Sequence, residues 1–285
     1  QAIGLELQAQ AFAFTTNDEI NNMSFYKYKV INRSTITLND CYFGVWVDSD
    51  LGYAFDDFVG CDVARGLGYT FNGDANDGSS SSAQPGTYGA NPPALGVDFF
   101  QGPIADPGDA VDNDRDGAID EIGEQIIMAK YLYYDNDFSV RGNPENATHY
   151  YNYLIGLWKD GTPFTYGGNA YGGGQSCDFM FPGDTDPTGW GTDGQPQIPW
   201  EELSSNNTHA DRRILQSAGP FSLAPGAVNY VTSGVVWARA ASGGASASVD
   251  LMRVTDDKAQ ALFDNCFQVL NGPDAPDLTL QELDK

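Results

Sequence analysis

The stretch Ser24-Phe25-Tyr26-Lys27-Tyr28-Lys29-Val30-Ile31 is rich in aromatic and β-branched residues, which is typical of a β-strand. A polar turn containing Asn32 and Ser34 follows it, and Tyr42-Phe43-Gly44-Val45-Trp46-Val47 then repeats the same composition. Upstream, residues 3–14 alternate apolar with polar or small side chains, as a half-buried strand does. The sequence therefore predicts that the chain opens with three strands.

Similar signals recur further along the chain. Strands are predicted at residues 125–134, 221–223, 228–240 and 247–254. The links between them are short turns such as Ala224-Pro225-Gly226, which favours antiparallel pairing. We expect a mainly β protein, an antiparallel β-sandwich that forms one domain over residues 1–285.

Two helices are predicted to pack on this sandwich, near residues 148–160 and 257–270. In each segment apolar residues recur at three- and four-residue spacing, and glycine follows as a stop signal. Trp158 falls on the apolar face of the first helix, and Trp46 and Trp237 fall in strands. All three tryptophans are therefore expected in the core.

Residues from about 48 to 124 carry a weaker pattern. The segment includes the low-complexity run Gly78-Ser79-Ser80-Ser81-Ser82 and the break Asn91-Pro92-Pro93. We expect a loop-rich excursion here, in which long loops are held by bound ions rather than by regular structure.

The excursion contains Asp112-Asn113-Asp114-Arg115-Asp116-Gly117-Ala118-Ile119-Asp120-Glu121, which places carboxylates at alternate positions around a glycine. EF-hand-type loops use this arrangement to surround calcium with oxygen ligands. The predicted ligands are the side chains of Asp112, Asp114, Asp116 and Asp120 and the carbonyl group of Ala118.

The twelfth position of this loop, where an EF-hand has a bidentate Glu, is Gly123. The loop is in this respect more similar to the shorter calcium repeats of dockerin and thrombospondin type-3 modules, and a more distant carboxylate must complete the site. The alternative is a solvated acidic turn that binds ions only weakly.

A second acidic group lies between residues 48 and 62. Asp48, Asp50, Asp57 and Asp62 are candidate ligands for a further calcium ion, because their spacing also suits oxygen coordination. The alternative is that these side chains accept hydrogen bonds from turn amides.

Composition limits the classes of partner. The chain has 14 Lys and Arg against 39 Asp and Glu, a formal net charge of -25, which argues against nucleic acids and anionic membrane surfaces. The sequence has no apolar stretch long enough for membrane insertion. No signal peptide precedes Gln1, so we expect a processed or excised piece of a longer secreted protein.

Four cysteines, Cys41, Cys61, Cys177 and Cys266, show no zinc-ligand spacing. Disulfides are possible in a secreted protein, and the local pairing of Cys41 with Cys61 and Cys177 with Cys266 is favoured over the two other full pairings. Buried free thiols are the alternative.

Several motifs, taken together and in order, resemble a module of large secreted Bacteroidetes surface proteins. The resemblance implies export through the outer membrane by the type IX secretion system and a place at the cell surface, but no particular activity. Such proteins usually end in a C-terminal sorting domain, which this sequence lacks. The motifs are WVDSDLG (46–52), DDFVGCD (56–62), NPPA (91–94), GVDFFQGP (96–103), DFMFPGD (178–184), DRRILQSAGPF (211–221) and VVWARA (235–240).

Trp190, Tyr166 and Tyr171 lie in glycine-rich loops, where an aromatic ring has little neighbouring chain to pack against. They are candidate platforms for a glycan, although core packing is the other possible role. The predicted function is a non-catalytic, calcium-stabilised extracellular module that recognises a glycan or a surface protein.

Two further classes of function compete with recognition. One is a structural subunit of a cell-surface layer or filament, for which a long exposed strand edge and self-association would be the signs. The other is a secreted glycoside hydrolase, which needs a pair of carboxylates on opposite sides of the scissile bond. With 39 acidic residues the sequence singles out no such pair.

Overall fold

The computed structural model describes residues 3–78 and 86–268. Within them the chain forms eleven strands and two α-helices, with short 3-10 turns between some of them. The strands are β1 (Leu5–Phe12), β2 (Met23–Asn32), β3 (Leu38–Asp48), β4 (Asp57–Asp62), β5 (Leu67–Asn72), β6 (Asn76–Asp77), β7 (Gly89–Ala90), β8 (Ala94–Gln101), β9 (Lys130–Asp135), β10 (Arg212–Leu223) and β11 (Val228–Ala238). The helices are α1 (Ala147–Leu154) and α2 (Gly244–Asp264).

The strands form two main sheets. One has six strands in the order β1-β2-β11-β8-β5-β4, and the other has three in the order β3-β10-β9. Strands β6 and β7 form a separate two-stranded ribbon. Every ladder between these strands is antiparallel, so the prediction of a mainly β, antiparallel fold with two helices is confirmed.

The two main sheets share one hydrophobic core, which is consistent with a sandwich. Val59 and Phe99 of the six-stranded sheet lie in the same cluster as Ile214 and Phe221 of the three-stranded sheet. A second cluster covers the other face of the six-stranded sheet, where Met252 of α2 and its neighbours pack. The molecule therefore has three layers, with the six-stranded sheet in the middle.

The expectation that residues 48–124 lack regular structure is wrong for part of this segment. Strands β4, β5 and β8 lie within it, and β4 and β5 are buried along their whole length. Glycines weaken their strand pattern in the sequence, and each glycine makes room for a large neighbour. A Cβ atom at Gly60 would lie 2.6 Å from the ring of Tyr69, and one at Gly68 would lie 2.5 Å from the ring of Tyr131.

The predicted strand at residues 247–254 is also wrong, because these residues belong to α2. This helix begins at Gly244 rather than near residue 257. Ala245, Val249 and Met252 are buried at four- and three-residue spacing, and this periodicity continues to Ala259. The first predicted helix is confirmed but shorter than expected, and residues 269 and 270 of the second lie outside the described residues.

Trp158 is fully buried, as predicted, whereas the prediction for Trp46 is wrong. Trp46 is 53% exposed because Val45 and Val47 of β3 pack against the core and Trp46 therefore lies on the opposite face of the strand, where its indole nitrogen donates a hydrogen bond to the hydroxyl of Tyr134 at 2.5 Å. In the described residues, neither helix is long and apolar enough to cross a membrane.

The predicted disulfides are not formed. All four cysteines are free thiols, and Cys41 and Cys61 lie on strands of different sheets. The thiol of Cys61 is buried and approaches the carbonyl oxygen of Met180 at 3.4 Å. Cys177 is also buried, while Cys266 is exposed, which makes their predicted pairing incompatible with this structure.

Candidate metal centre and the adjoining cleft

The acidic loop leaves the end of β8 and returns toward the start of β9 through a narrow neck. An isolated bridge pairs Ile104 with Gln125, and the amide of Ala105 donates to the carbonyl of Glu124 at 2.9 Å. The amide of Ile126 donates to the carbonyl of Pro103 at 2.8 Å. The neck therefore fixes both ends of the loop and brings Glu124 back toward its acidic turn.

The acidic turn uses its own carboxylates to hold its backbone. Asp112 accepts a hydrogen bond from the amide of Gly117 at 3.1 Å, Asp114 accepts one from Asp116 at 3.2 Å, and Asp116 accepts one from Ala118 at 2.7 Å. Each bond occupies a single carboxylate oxygen. The turn thus gathers its carboxylates around a common centre while leaving them oxygens for a further partner.

Two groups of carboxylates form in this turn. Oxygens of Asp112, Asp114 and Glu124 lie within 4.8 Å of one another, and so do oxygens of Asp114, Asp116 and Glu121. Asp114 belongs to both groups. These clusters can hold a metal ion, and their all-oxygen donor set suits a hard cation.

Glu121 and Glu124 were not among the predicted ligands. The EF-hand pattern expects the closing Glu at the twelfth position, but Glu124 is the thirteenth residue counted from Asp112. It is buried, and its two oxygens accept hydrogen bonds from the amides of Asn113 at 2.5 Å and Asp120 at 3.1 Å. A search for a more distant carboxylate beyond Gly123 would have found it.

Some carboxylate oxygens of the turn have no protein partner. Asp112 Oδ1 and both carboxylate oxygens of Glu121 are shielded from solvent and accept no hydrogen bond from the described residues. Desolvation and repulsion from Glu124, Asp116 and Asp114 raise the pKa of Glu121 above its usual value. A bound cation would satisfy these oxygens and relieve the repulsion, so the residues present fit a metal ion.

The other predicted ligands of this turn have different positions. Asp120 accepts a hydrogen bond from the amide of Ala110 at 3.2 Å and does not belong to either carboxylate group. Ala118 is exposed in the turn. Asp120 therefore supports the loop from outside the centre.

The second acidic group is only partly assembled. Oxygens of Asp48, Asp50 and Asp211 lie within 4.8 Å of one another. However, the guanidinium group of Arg213 lies 3.0 Å from Asp48 and 2.7 Å from Asp211. Arg213 already supplies the positive charge in this group, so the carboxylates here have less need of a metal ion than those of the acidic turn.

Asp57 and Asp62 do not join that group, which corrects the prediction for both. Asp57 is buried and accepts a hydrogen bond from the amide of Leu51 at 3.1 Å, and burial raises its pKa to about 8. Asp62 is buried against Arg65 at 2.8 Å and Arg253 at 3.3 Å. For Asp57 the alternative role, holding a turn amide, is the one observed.

A cleft of about 450 Å³ adjoins the acidic turn. Asp112 lines it on one side, Trp190 and Phe179 line it on another, and Lys130 and Asp178 form a salt bridge of 2.5 Å in its wall. Arg115, which belongs to the acidic turn, also lines the cleft and contacts the rings of Phe179 and Trp190.

The Arg115 guanidinium group lies 5.0 Å from the ring centre of Phe179 and 5.5 Å from that of Trp190. It also donates to the carbonyl oxygens of Val63 at 2.8 Å and Met128 at 2.5 Å. Burial lowers the pKa of Arg115 to about 10, which still leaves it charged at neutral pH. The structure therefore connects the predicted calcium loop with the predicted aromatic platform, although Trp190 lies 75 positions after Arg115 in the sequence.

Trp190 is held in place and is 40% exposed. Its amide and that of Gly191 donate to the two carboxylate oxygens of Asp186, at 2.7 and 2.9 Å. A cleft wall with a fixed and partly exposed indole can act as a binding surface.

Tyr166 and Tyr171 do not line this cleft. The ring of Tyr166 packs 4.8 Å from that of Trp200, and its hydroxyl donates to the carbonyl of Ile198 at 2.8 Å. The ring of Tyr171 packs against Trp158, and its hydroxyl bonds to Asp160 at 3.1 Å. Both tyrosines are occupied by packing and hydrogen bonds within the protein.

Comparison of the chain with protein-family models gives no match, and comparison with curated proteins gives none either.

Proposed function

We propose that this protein is a non-catalytic, calcium-stabilised surface module that recognises a glycan or a glycosylated partner through the Trp190 cleft. The observation that carries the proposal is the position of Asp112, which belongs to a carboxylate group of the acidic turn and also lines the cleft. A bound ion would then fix one wall of the ligand site. The resemblance to secreted Bacteroidetes modules supports a cell-surface location reached by type IX secretion.

Calcium suits this turn better than other common ions. The donors are carboxylates on an irregular loop, which can adopt the six to eight oxygen contacts that calcium takes, whereas magnesium needs a stricter octahedron. Zinc would favour His and Cys ligands. Asp112, Asp114 and Glu124 would hold the ion, and Asp116 and Glu121 would offer further oxygens.

A saccharide suits the cleft beside the turn. The ring of Trp190 offers an apolar face to the C–H face of a sugar. Asn113, Lys130 and Asp178 also line the cleft and provide hydrogen-bond donors and acceptors for hydroxyl groups.

The test is a glycan array probed with wild type and Trp190→Ala, each with calcium and with chelator. Binding should require calcium and fall at least about tenfold in Trp190→Ala, since aromatic anchors dominate such interfaces. Trp46→Ala is a matched control, because Trp46 is also an exposed tryptophan and does not line this cleft. Binding that survives both chelation and Trp190→Ala would refute the proposal.

A second candidate function, self-assembly into a surface layer, is favoured by β1. This strand has eight residues and forms one edge of the six-stranded sheet, where it pairs only with β2 among the described residues. Leu7 is 58% exposed on it, and Leu5 is also exposed. An exposed apolar strand edge is a template for pairing with another chain.

Self-assembly is tested by sedimentation of wild type and Leu7→Lys. If β1 pairs with a second copy, wild type should form dimers or larger species and Leu7→Lys should shift toward monomer. Gln10→Lys is the control for the added charge, because it places the same group on the opposite face of β1. A monomeric wild type at high concentration would exclude this candidate.

A further inference from the structure

A separate cleft of about 560 Å³ lies near the end of β9. Tyr133 and Asp135 of β9 line it, whereas Lys130 at the start of the same strand lines the Trp190 cleft. Five residues of a strand span about 16 Å, so the two clefts are separate sites at opposite ends of β9.

The walls of this cleft are held rigidly by hydrogen bonds within the protein. Arg212 forms an ion pair with Asp135, and it donates to Glu202 at 2.7 Å and to the carbonyl of Thr208 at 2.6 Å. The side-chain amide of Asn136 donates to the carboxylate of Asp211 at 2.8 Å. Arg212, Asp135 and Asn136 are therefore fixed before any ligand arrives, which lowers the entropic cost of binding to them.

An exposed phenylalanine stands at the rim. Phe55 is 59% exposed and lines both this cleft and a neighbouring cavity of about 460 Å³. Its carbonyl oxygen accepts a hydrogen bond from Nδ1 of His209 at 2.8 Å, and its 3-10 turn is also held by Asp77, which accepts from the amide of Tyr53 at 2.8 Å. These bonds anchor the backbone of Phe55, and its exposed ring presents an apolar face beside polar groups.

The polar groups of the cleft favour hydroxyl groups over charge. Asn136, Asn169, Asn206 and Asn207 all line it, and a side-chain amide can both donate and accept. The charges of Arg212 and Asp135 are already paired with each other, and Arg141, which also lines the cleft, lies 3.8 Å from the same carboxylate. Another lining carboxylate, that of Asp137, has no basic partner in the described part of the chain, and it would repel an acidic ligand.

We infer that this cleft binds a neutral saccharide, with Phe55 packed against the apolar face of a sugar ring and the asparagine side chains bonded to its hydroxyl groups. The inference extends the proposed recognition function to a second site. It does not depend on the Trp190 cleft, because the two clefts share no lining residue.

The inference is tested by saturation-transfer NMR and affinity measurement in calcium-containing buffer. The probes are hexasaccharides of glucose, xylose and mannose, with a hexasaccharide of galacturonic acid as the charged comparison. Phe55→Ala should weaken binding of a neutral probe at least about tenfold, because it removes the anchoring ring. Tyr150→Ala is the matched control: Tyr150 is 58% exposed, does not line the cleft, and its removal should change affinity less than about twofold.

Two further variants separate binding from folding and from the other site. Asn207→Ala should weaken binding without lowering the melting temperature, because its Nδ2 donates to no group in the described residues. Trp190→Ala should leave this binding unchanged, whether or not the Trp190 cleft has a ligand of its own. The inference is overturned if no neutral probe binds, if the galacturonic acid probe binds more tightly, or if Phe55→Ala binds like wild type.

Discussion

Asp114 is the residue on which the proposed calcium site depends most, because it belongs to both carboxylate groups of the acidic turn. The alternating spacing of Asp112, Asp114 and Asp116 in the sequence predicted that Asp114 is a calcium ligand. Glu124 was missed because it lies one position beyond the twelfth place of the EF-hand pattern, and the neck between Ile104 and Gln125 brings it toward the turn.

Asp114→Ala should therefore weaken calcium binding and abolish most of the stabilisation by calcium. At a free concentration of a hundred times the dissociation constant, one bound ion stabilises the folded state by about 2.7 kcal/mol. Calorimetric titration and thermal melting would measure both effects. Asp250→Ala is the control, since it removes the same charge from an exposed position of α2. Equal calcium stoichiometry and stability in both variants would show that the acidic turn is only solvated.

Asp57 should make stability depend on pH. Its pKa is raised to about 8 by burial, so in the folded state it keeps its proton where the unfolded chain has lost it. The folded state then binds more protons between about pH 4 and 8, and the free energy of unfolding should fall as pH rises through this window. Asp57→Asn should flatten that slope in denaturant titrations between pH 5 and 8. An unchanged slope would mean that Asp57 is ionised in the folded protein.

At the scale of elements, the sequence predicted the strands with clear aromatic and β-branched patterns, and it missed those that contain glycines. β4 and β5 were assigned to a loop because Gly60 and Gly68 interrupt their apolar pattern, although the neighbouring rings of Tyr69 and Tyr131 need that space. The start of α2 was read as a strand, because over a short segment its apolar spacing also matched an alternation of two.

The neck of the acidic loop should be sensitive to a single methyl group. A Cβ atom at Gly102 would lie 1.6 Å from the carbonyl oxygen of Ile126, which cannot move without disturbing the neck. Gly102→Ala should therefore lower the melting temperature and weaken calcium binding, although no carboxylate has been altered. Calcium affinity like that of wild type would show that the neck does not position the carboxylates.

At the scale of the whole molecule, the sequence predicted the antiparallel, mainly β class but not the number of layers. The assignment of β4, β5 and β8 to one sheet with β1 and β2 depends on contacts between distant segments, which the sequence does not display locally. The net charge of -25 follows directly from the composition. It causes repulsion within the folded protein, which bound cations would reduce.

Chelation should lower the melting temperature of the whole protein by more than charge screening explains. Exposed charges are screened by any salt, whereas a specific site responds to calcium at constant ionic strength. Thermal melting with calcium, magnesium or sodium at matched ionic strength separates the two effects. Equal stabilisation by all three salts would indicate screening alone.

A crystal structure determined in saturating calcium would test the proposed calcium site most directly. We expect an ion in the acidic turn, with oxygens of Asp112, Asp114 and Glu124 at calcium ligand distances of about 2.3–2.6 Å. A turn without an ion under these conditions, or an ion bound only by Asp48, Asp50 and Asp211, would contradict it.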